Sequence, residues 1–174
     1  MELSNKDRLI LLNQYLIMRS LDRDNWKEYD RTIAILRGGF AMYYYELEDS
    51  ISEEVPEEQS WFVIDVLKMY QTIDVYKTTH PQDREVIDHP RSSFVGFSGT
   101  EERGSMEFTQ FAEKHLSFTE LSPYAEKTRH WNSPNPMNAV YRRMLDKWRE
   151  LRKSADFKPT REEVLAILQA SNEP

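Results

Sequence analysis

The residues best suited to bind a small molecule lie in two short aromatic segments, 94–97 and 131–132. Neither segment has helical periodicity, and functional side chains concentrate in such connecting segments. Apolar walls with a few polar groups are typical of ligand pockets. The sequence therefore predicts a pocket, and the predicted lining residues are Phe94, Phe97, Trp131 and Asn132, with Arg8 or Tyr15 as polar anchors. The alternative, which we favour slightly, is that the aromatic side chains plug the end of a helical core.

The sequence contains no recognisable catalytic or metal-binding motif. There is no cysteine, and no two of the four histidines are spaced as a helical metal pair. Ser98 lies between Gly96 and Gly99 but lacks the strand and the Gly-x-Ser-x-Gly frame of a nucleophile elbow, so we interpret it as part of a turn. We predict no metal and no cofactor and assign no catalytic residue. An enzyme would require at least two of His115, His130, Asp65 and the loop acids to meet in one cleft.

Charge is distributed unevenly along the chain. Seven acidic residues lie within 46–58, and a solvated acidic turn is favoured there over a site for a cation or a basic partner. The segment 136–153 carries a basic face that could meet an anion, a nucleic-acid backbone or a second subunit, although a solvated face is favoured. Its members are Arg142, Arg143, Lys147, Arg149, Arg152 and Lys153. A net charge of −7 argues against direct nucleic-acid binding by the domain as a whole.

The elements that would position these groups are helices. Apolar residues cover nearly the whole circumference of Leu9–Leu21, which predicts a helix that is central or lies in a dimer interface. A second apolar stripe runs over 26–47, and we favour one kinked helix there over a break at Gly38-Gly39. Ser4, Thr100 and Thr160 are predicted N-caps. Further helices are expected over 61–76, from 101 and over 136–153, with Pro136 in the first turn of the last.

Length and composition fit one globular domain. The 174 residues are 39% hydrophobic and 30% charged, and no strand pattern with a hairpin turn occurs. We therefore predict an all-α domain over residues 1–174, a bundle of about six or seven helices around a central apolar N-terminal helix. The chain has no signal-peptide pattern and no long apolar run, so we expect a cytoplasmic protein without a membrane segment. The apolar N-terminal helix predicts a homodimer.

Several segments resemble the YfbU family, in the same order and over nearly the full chain. They are 8–15, Gly39-Phe40, 63–70, 94–97, Trp131-Asn132 with Pro136-Met137, and 141–145. The chain departs from the family at Ser98, where an aspartate is usual, and matches little over 117–130. The resemblance implies a helical fold and brings no catalytic residues. Some relatives look fused to helix-turn-helix domains, which implies by association a regulatory or ligand-sensing role.

Three functions remain open from the sequence. The first is a non-enzymatic regulatory or small-ligand-binding module that uses the aromatic segments. The second is a protein-interaction or assembly module, and the third is an enzyme, to which we give the least weight.

Overall fold

The predicted all-α class is confirmed by a computed structural model, which describes residues 2–48, 51–116, 118, 130–152, 154 and 157–172. These residues form eight α-helices and no strand. Two of the eight, α3 and α5, have four residues each, so the number of longer helices agrees with the six or seven expected. The helices are α1 (Asn5–Leu21), α2 (Trp26–Gly38), α3 (Tyr45–Glu48), α4 (Glu57–Thr79), α5 (Arg84–Ile87), α6 (Arg103–His115), α7 (Asn138–Leu151) and α8 (Arg161–Gln169).

The chain divides into two compact units, Met1–Glu54 and Val55–Pro174. The first contains α1, α2 and α3, and the second contains the remaining helices. Our prediction that residues 1–174 form one domain stays a prediction.

The placement of α1 differs from the prediction. We expected a central helix apolar and buried on every side, but α1 has no buried residue. Its half-buried positions, such as Leu12 and Leu16, lie on one face, and α1 packs against α2. The opposite face leaves Leu9, Ile17 and Leu21 more than half exposed. Only part of the apolar circumference is covered, because one neighbouring helix can cover only one face.

The stripe over 26–47 is broken, so the favoured single kinked helix is wrong. Gly39 adopts φ +67, the left-handed conformation that commonly ends helices, and the Phe40 amide donates to the Ile35 carbonyl at 3.1 Å. A short 3-10 turn at Ala41–Tyr43 follows before α3. The apolar residues of 26–47 keep their regular spacing across this break.

The second unit is built around α4. Along this 23-residue helix, eight side chains are buried, including Val66, Tyr70 and Ile73. Helices α6 and α7 pack against α4, and α8 packs against α7. The helix expected over 136–153 is confirmed as α7, and its side chains Tyr141, Met144 and Trp148 are buried. Burial raises the pKa of the Tyr141 phenol well above its usual value. Aromatic and aliphatic side chains of α4 and α7 thus form the core of this unit.

Two of the three predicted caps are confirmed. The Ser4 and Thr160 side chains each accept the third-residue amide in a complete capping box. Thr100 is not a cap, because α6 begins only at Arg103, and its hydroxyl lies 3.0 Å from that of Ser98. Pro136 lies just before the Met137 N-cap of α7, not in its first turn.

Some predicted features lie outside the described residues. They are most of the irregular stretch 117–130, Lys153 of the basic face and Asp49 of the acidic run. Among the helices the structure describes, none combines the length and hydropathy needed to cross a membrane.

Candidate functional site

The two aromatic segments singled out in the sequence lie side by side. The Phe97 amide donates to the Trp131 carbonyl at 2.9 Å, and the Ser133 amide donates to the Phe97 carbonyl at 2.9 Å. These bonds form an isolated parallel bridge between Phe97 and Asn132. Gly96, with φ +86, makes the approach possible, since a Cβ there would lie 2.0 Å from the Trp131 carbonyl oxygen. We call this arrangement the aromatic bridge.

The aromatic side chains at the bridge are buried and pack against one another. Phe94 is 3% exposed, whereas Phe97 and Trp131 are fully buried. The Phe94 ring lies 5.2 Å from that of Trp131 and 5.6 Å from that of Tyr141, centroid to centroid. The Trp131 indole donates to Glu113 at 2.6 Å. This packing supports the alternative in which the aromatic side chains plug the helical core.

The other residues predicted to line the pocket have partners close to them in the structure. The Asn132 side-chain oxygen accepts the Gly99 amide at 3.0 Å, which ties the two segments together. Arg8 belongs to the first unit, where its guanidinium donates to the Leu36 carbonyl at 3.4 Å near the end of α2. A cation there complements the helix dipole. Tyr15, also in the first unit, packs its ring 6.3 Å from that of Tyr29.

Glu102 makes a structural link in this region that the sequence does not indicate. The residue is 5% exposed, and its carboxylate accepts backbone amides from Ser98 at 3.0 Å, Met137 at 2.8 Å and Asn138 at 2.6 Å. It binds the amides at the start of α7, 35 positions along the chain, so no local spacing indicates the contact.

A separate cleft lies in the second unit between α4, the end of α7 and the segment 157–159. We call it the α4–α7 cleft, and its volume is about 880 Å³. Its lining residues are Lys68, Gln71, Thr72, Val75, Tyr76, Thr79, His80, Trp148, Arg152, Phe157, Lys158 and Pro159. Aromatic side chains therefore come from three separate chain segments, and none of these lining residues is acidic.

The walls of the α4–α7 cleft are held by contacts around Tyr76. The Tyr76 hydroxyl donates to Asp83 at 2.9 Å, and Arg161 of α8 also donates to Asp83, at 3.1 Å. Burial raises the pKa of the Tyr76 phenol, and its hydrogen bond to Asp83 acts in the same direction. The His80 ring stacks on the Tyr76 ring at 4.3 Å. The aromatic wall is thus fixed by groups outside the cleft.

One residue of the cleft, Arg152, belongs to the basic face predicted from the sequence. Elsewhere on α7, Arg149 donates to Asp65 at 2.6 Å and Arg143 donates to the Ser171 carbonyl at 2.9 Å. Arg152 donates through Nε to the Ser154 carbonyl at 3.3 Å and lies over the Trp148 ring, with its guanidinium carbon 4.8 Å from the centroid, but it has no carboxylate partner among the described residues. Internal contacts therefore account for much of the predicted basic face, and the cleft keeps one of its arginines.

Two members of the cleft, Lys68 and Thr72, lie one helical turn apart on α4 and form a narrow polar stripe with Asp65. Such a stripe alone indicates only a solvent-facing line. In the structure, Trp148 of α7 and Phe157 line the cleft together with Lys68 and Thr72. The signal that could have indicated a cleft was this polar stripe together with an aromatic residue after α7, Phe157.

Sequence comparison identifies the family. The YfbU domain matches residues 1–170. The chain belongs to the YfbU family. A YfbU-family relative, the UPF0304 protein MJECS11 of Methanocaldococcus jannaschii, is 42% identical over 171 residues, which are 97% of this chain and 99% of that protein. The resemblance drawn from the motifs is therefore confirmed, and neither description states a reaction or a ligand.

The groups on which an enzymatic role would depend each have a local contact in this YfbU chain. Asp65 is paired with Arg149, the His115 ring packs 5.0 Å from that of Phe111, and the His130 carbonyl accepts from Gln110 at 2.9 Å. Over the described part of the chain, no three His, Asp or Glu side chains are grouped so as to hold a metal ion.

Proposed function

We propose that the chain is a non-enzymatic small-ligand-binding module whose ligand occupies the α4–α7 cleft. The observation that carries this proposal is a cleft of about 880 Å³ with aromatic side chains from separate segments and polar groups between them. This size and lining are those of ordinary small-molecule sites. The proposal keeps the function expected from the sequence but moves the ligand away from the aromatic bridge, whose side chains are buried.

Binding is favoured over catalysis because, among the described lining residues, His80 is the one histidine and no carboxylate lies with it to orient the ring or share a proton. The His80 Nδ1 lies 3.1 Å from the Tyr76 carbonyl oxygen and 2.9 Å from the Thr79 hydroxyl, and the His80 ring stacks on Tyr76. A regulatory role for the bound ligand is part of this proposal and is supported by the family resemblance alone.

The test is a thermal-shift screen against a broad metabolite panel, with a variant that fills the cleft. Val75 lines the cleft and is 55% exposed, so Val75→Trp adds bulk without disturbing the core. A ligand at about 100 times its Kd should stabilise the wild-type protein by about 2.7 kcal/mol. We expect Val75→Trp to abolish that shift.

The matched control is Phe111→Trp, which adds bulk to an exposed aromatic position of α6 that does not line the cleft. This variant should keep the full shift. A panel without any stabilising compound, or a hit that binds equally to Val75→Trp, would refute the proposal.

A second candidate function, assembly as a homodimer, is favoured by the apolar surface of the first unit. Of the 14 large apolar side chains exposed in the described residues, 10 lie in this unit, which spans less than a third of the chain. Ile10, Ile17 and Leu21 form one stripe on the face of α1 away from α2. Clustered exposed apolar residues of this kind are typical of interaction surfaces.

Sedimentation at micromolar concentration tests the assembly proposal. Ile17→Glu combined with Leu21→Glu should weaken a dimer at least about tenfold, since each buried Ile or Leu contributes about 1.5–3 kcal/mol. Phe111→Glu, on α6 in the second unit, is the control and should leave the dimer unchanged. A wild-type protein that sediments as a monomer would contradict this candidate.

We also propose a cytoplasmic location, because a chain without cysteine suits a reducing compartment.

A further inference from the structure

We infer that the ligand of the α4–α7 cleft is an organic anion, with a carboxylate or phosphate on a flat apolar body. The inference rests on the proposed function and adds the chemical class of the ligand. It is carried by the charges of the cleft and by the flat and apolar surface that the cleft leaves exposed.

The charge of the cleft is opposite to that of the protein. The whole chain has 30 acidic and 23 basic residues, yet among the residues that the structure describes the cleft is lined by Lys68, Arg152 and Lys158 and by no carboxylate. None of these three cations forms an ion pair with any residue that the structure describes. Elsewhere, by contrast, Arg149 and Arg161 are paired with carboxylates. Cations gathered in a partly enclosed space attract an anion.

The remaining surface fits a flat apolar body. The flat surface that the cleft offers comes from two rings. The His80 ring is exposed and stacks on the buried Tyr76, and the Phe157 ring is half-buried. Val75 adds an aliphatic surface that is 55% exposed. A bare inorganic anion would use the cations but none of this apolar surface. The combination therefore favours an aromatic or similarly flat organic anion.

The test compares two probes of nearly equal shape, 2-naphthoate and 2-naphthamide, by isothermal titration calorimetry. We expect 2-naphthoate to bind about five- to tenfold more tightly, because only the carboxylate interacts with the lysines across partly exposed space. Added salt should reduce this preference, since exposed charges are screened. The double variant Lys68→Met, Lys158→Met keeps the aliphatic stems and should bind 2-naphthoate with a smaller preference than the wild-type protein does, because only Arg152 of the three cations then remains to attract the carboxylate.

The matched control is Lys114→Met, which removes an exposed lysine of α6 that does not line the cleft and should leave the preference intact. Equal binding of both probes to the wild-type protein, blocked by Val75→Trp, would overturn the anion class while leaving the ligand-binding function in place. Tighter binding of inorganic phosphate than of 2-naphthoate would overturn the flat organic body. Binding of neither probe would overturn the inference, and the metabolite panel would then decide separately on the proposed function.

Discussion

Replacing Glu102 by glutamine is expected to lower the free energy of unfolding by about 2–3 kcal/mol. The carboxylate accepts three backbone amides, from Ser98, Met137 and Asn138, and is 5% exposed. A glutamine keeps one acceptor oxygen, but the NH2 of its side-chain amide then faces the remaining backbone N–H donors. At least one buried amide then loses its acceptor, which costs about 1–3 kcal/mol.

The same change removes a negative charge from the N-terminus of α7. Acidic groups at such a position stabilise a helix by about 0.3–1 kcal/mol. Glu102→Ala leaves all three amides unsatisfied, and its expected cost is therefore larger, about 3–5 kcal/mol. Both losses are measured by urea unfolding, followed by far-ultraviolet circular dichroism with linear extrapolation to water.

Glu101→Gln provides the control, because Glu101 is adjacent in sequence, exposed and chemically identical. Its stability should stay within about 0.5 kcal/mol of the wild-type value. If Glu102→Gln also falls within that margin, the carboxylate does not hold the start of α7 and the reasoning is refuted.

Three further predictions concern separate positions. Gly96→Ala should destabilise by at least about 2 kcal/mol in urea unfolding, because φ +86 strains any side chain and the new Cβ meets the Trp131 carbonyl. Thr160→Ala should cost about 1 kcal/mol, the usual value of an N-cap side chain, in the same measurement. Burial, aided by the charge of Arg91, lowers the pKa of His89. The unfolded chain therefore takes up a proton more readily, and stability should fall as the pH drops below about 6.5.

The pH effect and the glycine effect have their own controls. His89 Nδ1 accepts the Arg91 amide at 3.2 Å, so His89→Asn can keep an acceptor without titrating. The urea midpoint of that variant should change less between neutral and mildly acidic pH than the wild-type midpoint, and an equal change would contradict the assignment. Gly104→Ala, inside α6 at an ordinary helical φ, should be neutral or stabilising. An equal loss at both glycines would point to a general intolerance of alanine.

Local signals in the sequence predicted the helices well. The capping boxes at Ser4 and Thr160 and the apolar stripe of α7 depend on residues within one or two helical turns, so spacing alone reveals them. Gly39 shows the limit of such reasoning. Its left-handed conformation ends α2, but the apolar residues on either side keep the spacing of an unbroken helix.

Contacts between distant segments were only partly predictable. The two aromatic segments were expected to come together, and they do, but spacing could not reveal that their side chains pack against Tyr141 and become buried. Glu102 escaped notice because its partners are backbone amides, which have no sequence signature. The α4–α7 cleft escaped notice because a cleft depends on what closes the far side of a polar stripe.

The aromatic bridge has a consequence for the order in which the second unit folds. Its two hydrogen bonds join segments between which the whole of α6 lies, so neither bond exists until that long loop has closed. Closing a loop costs chain entropy before any contact within it is gained. Contacts of this high sequence separation slow folding compared with local helical contacts. We therefore expect α4 and α7 to form early and the amides of Phe97 and Ser133 to be among the last in this unit to become protected from hydrogen exchange.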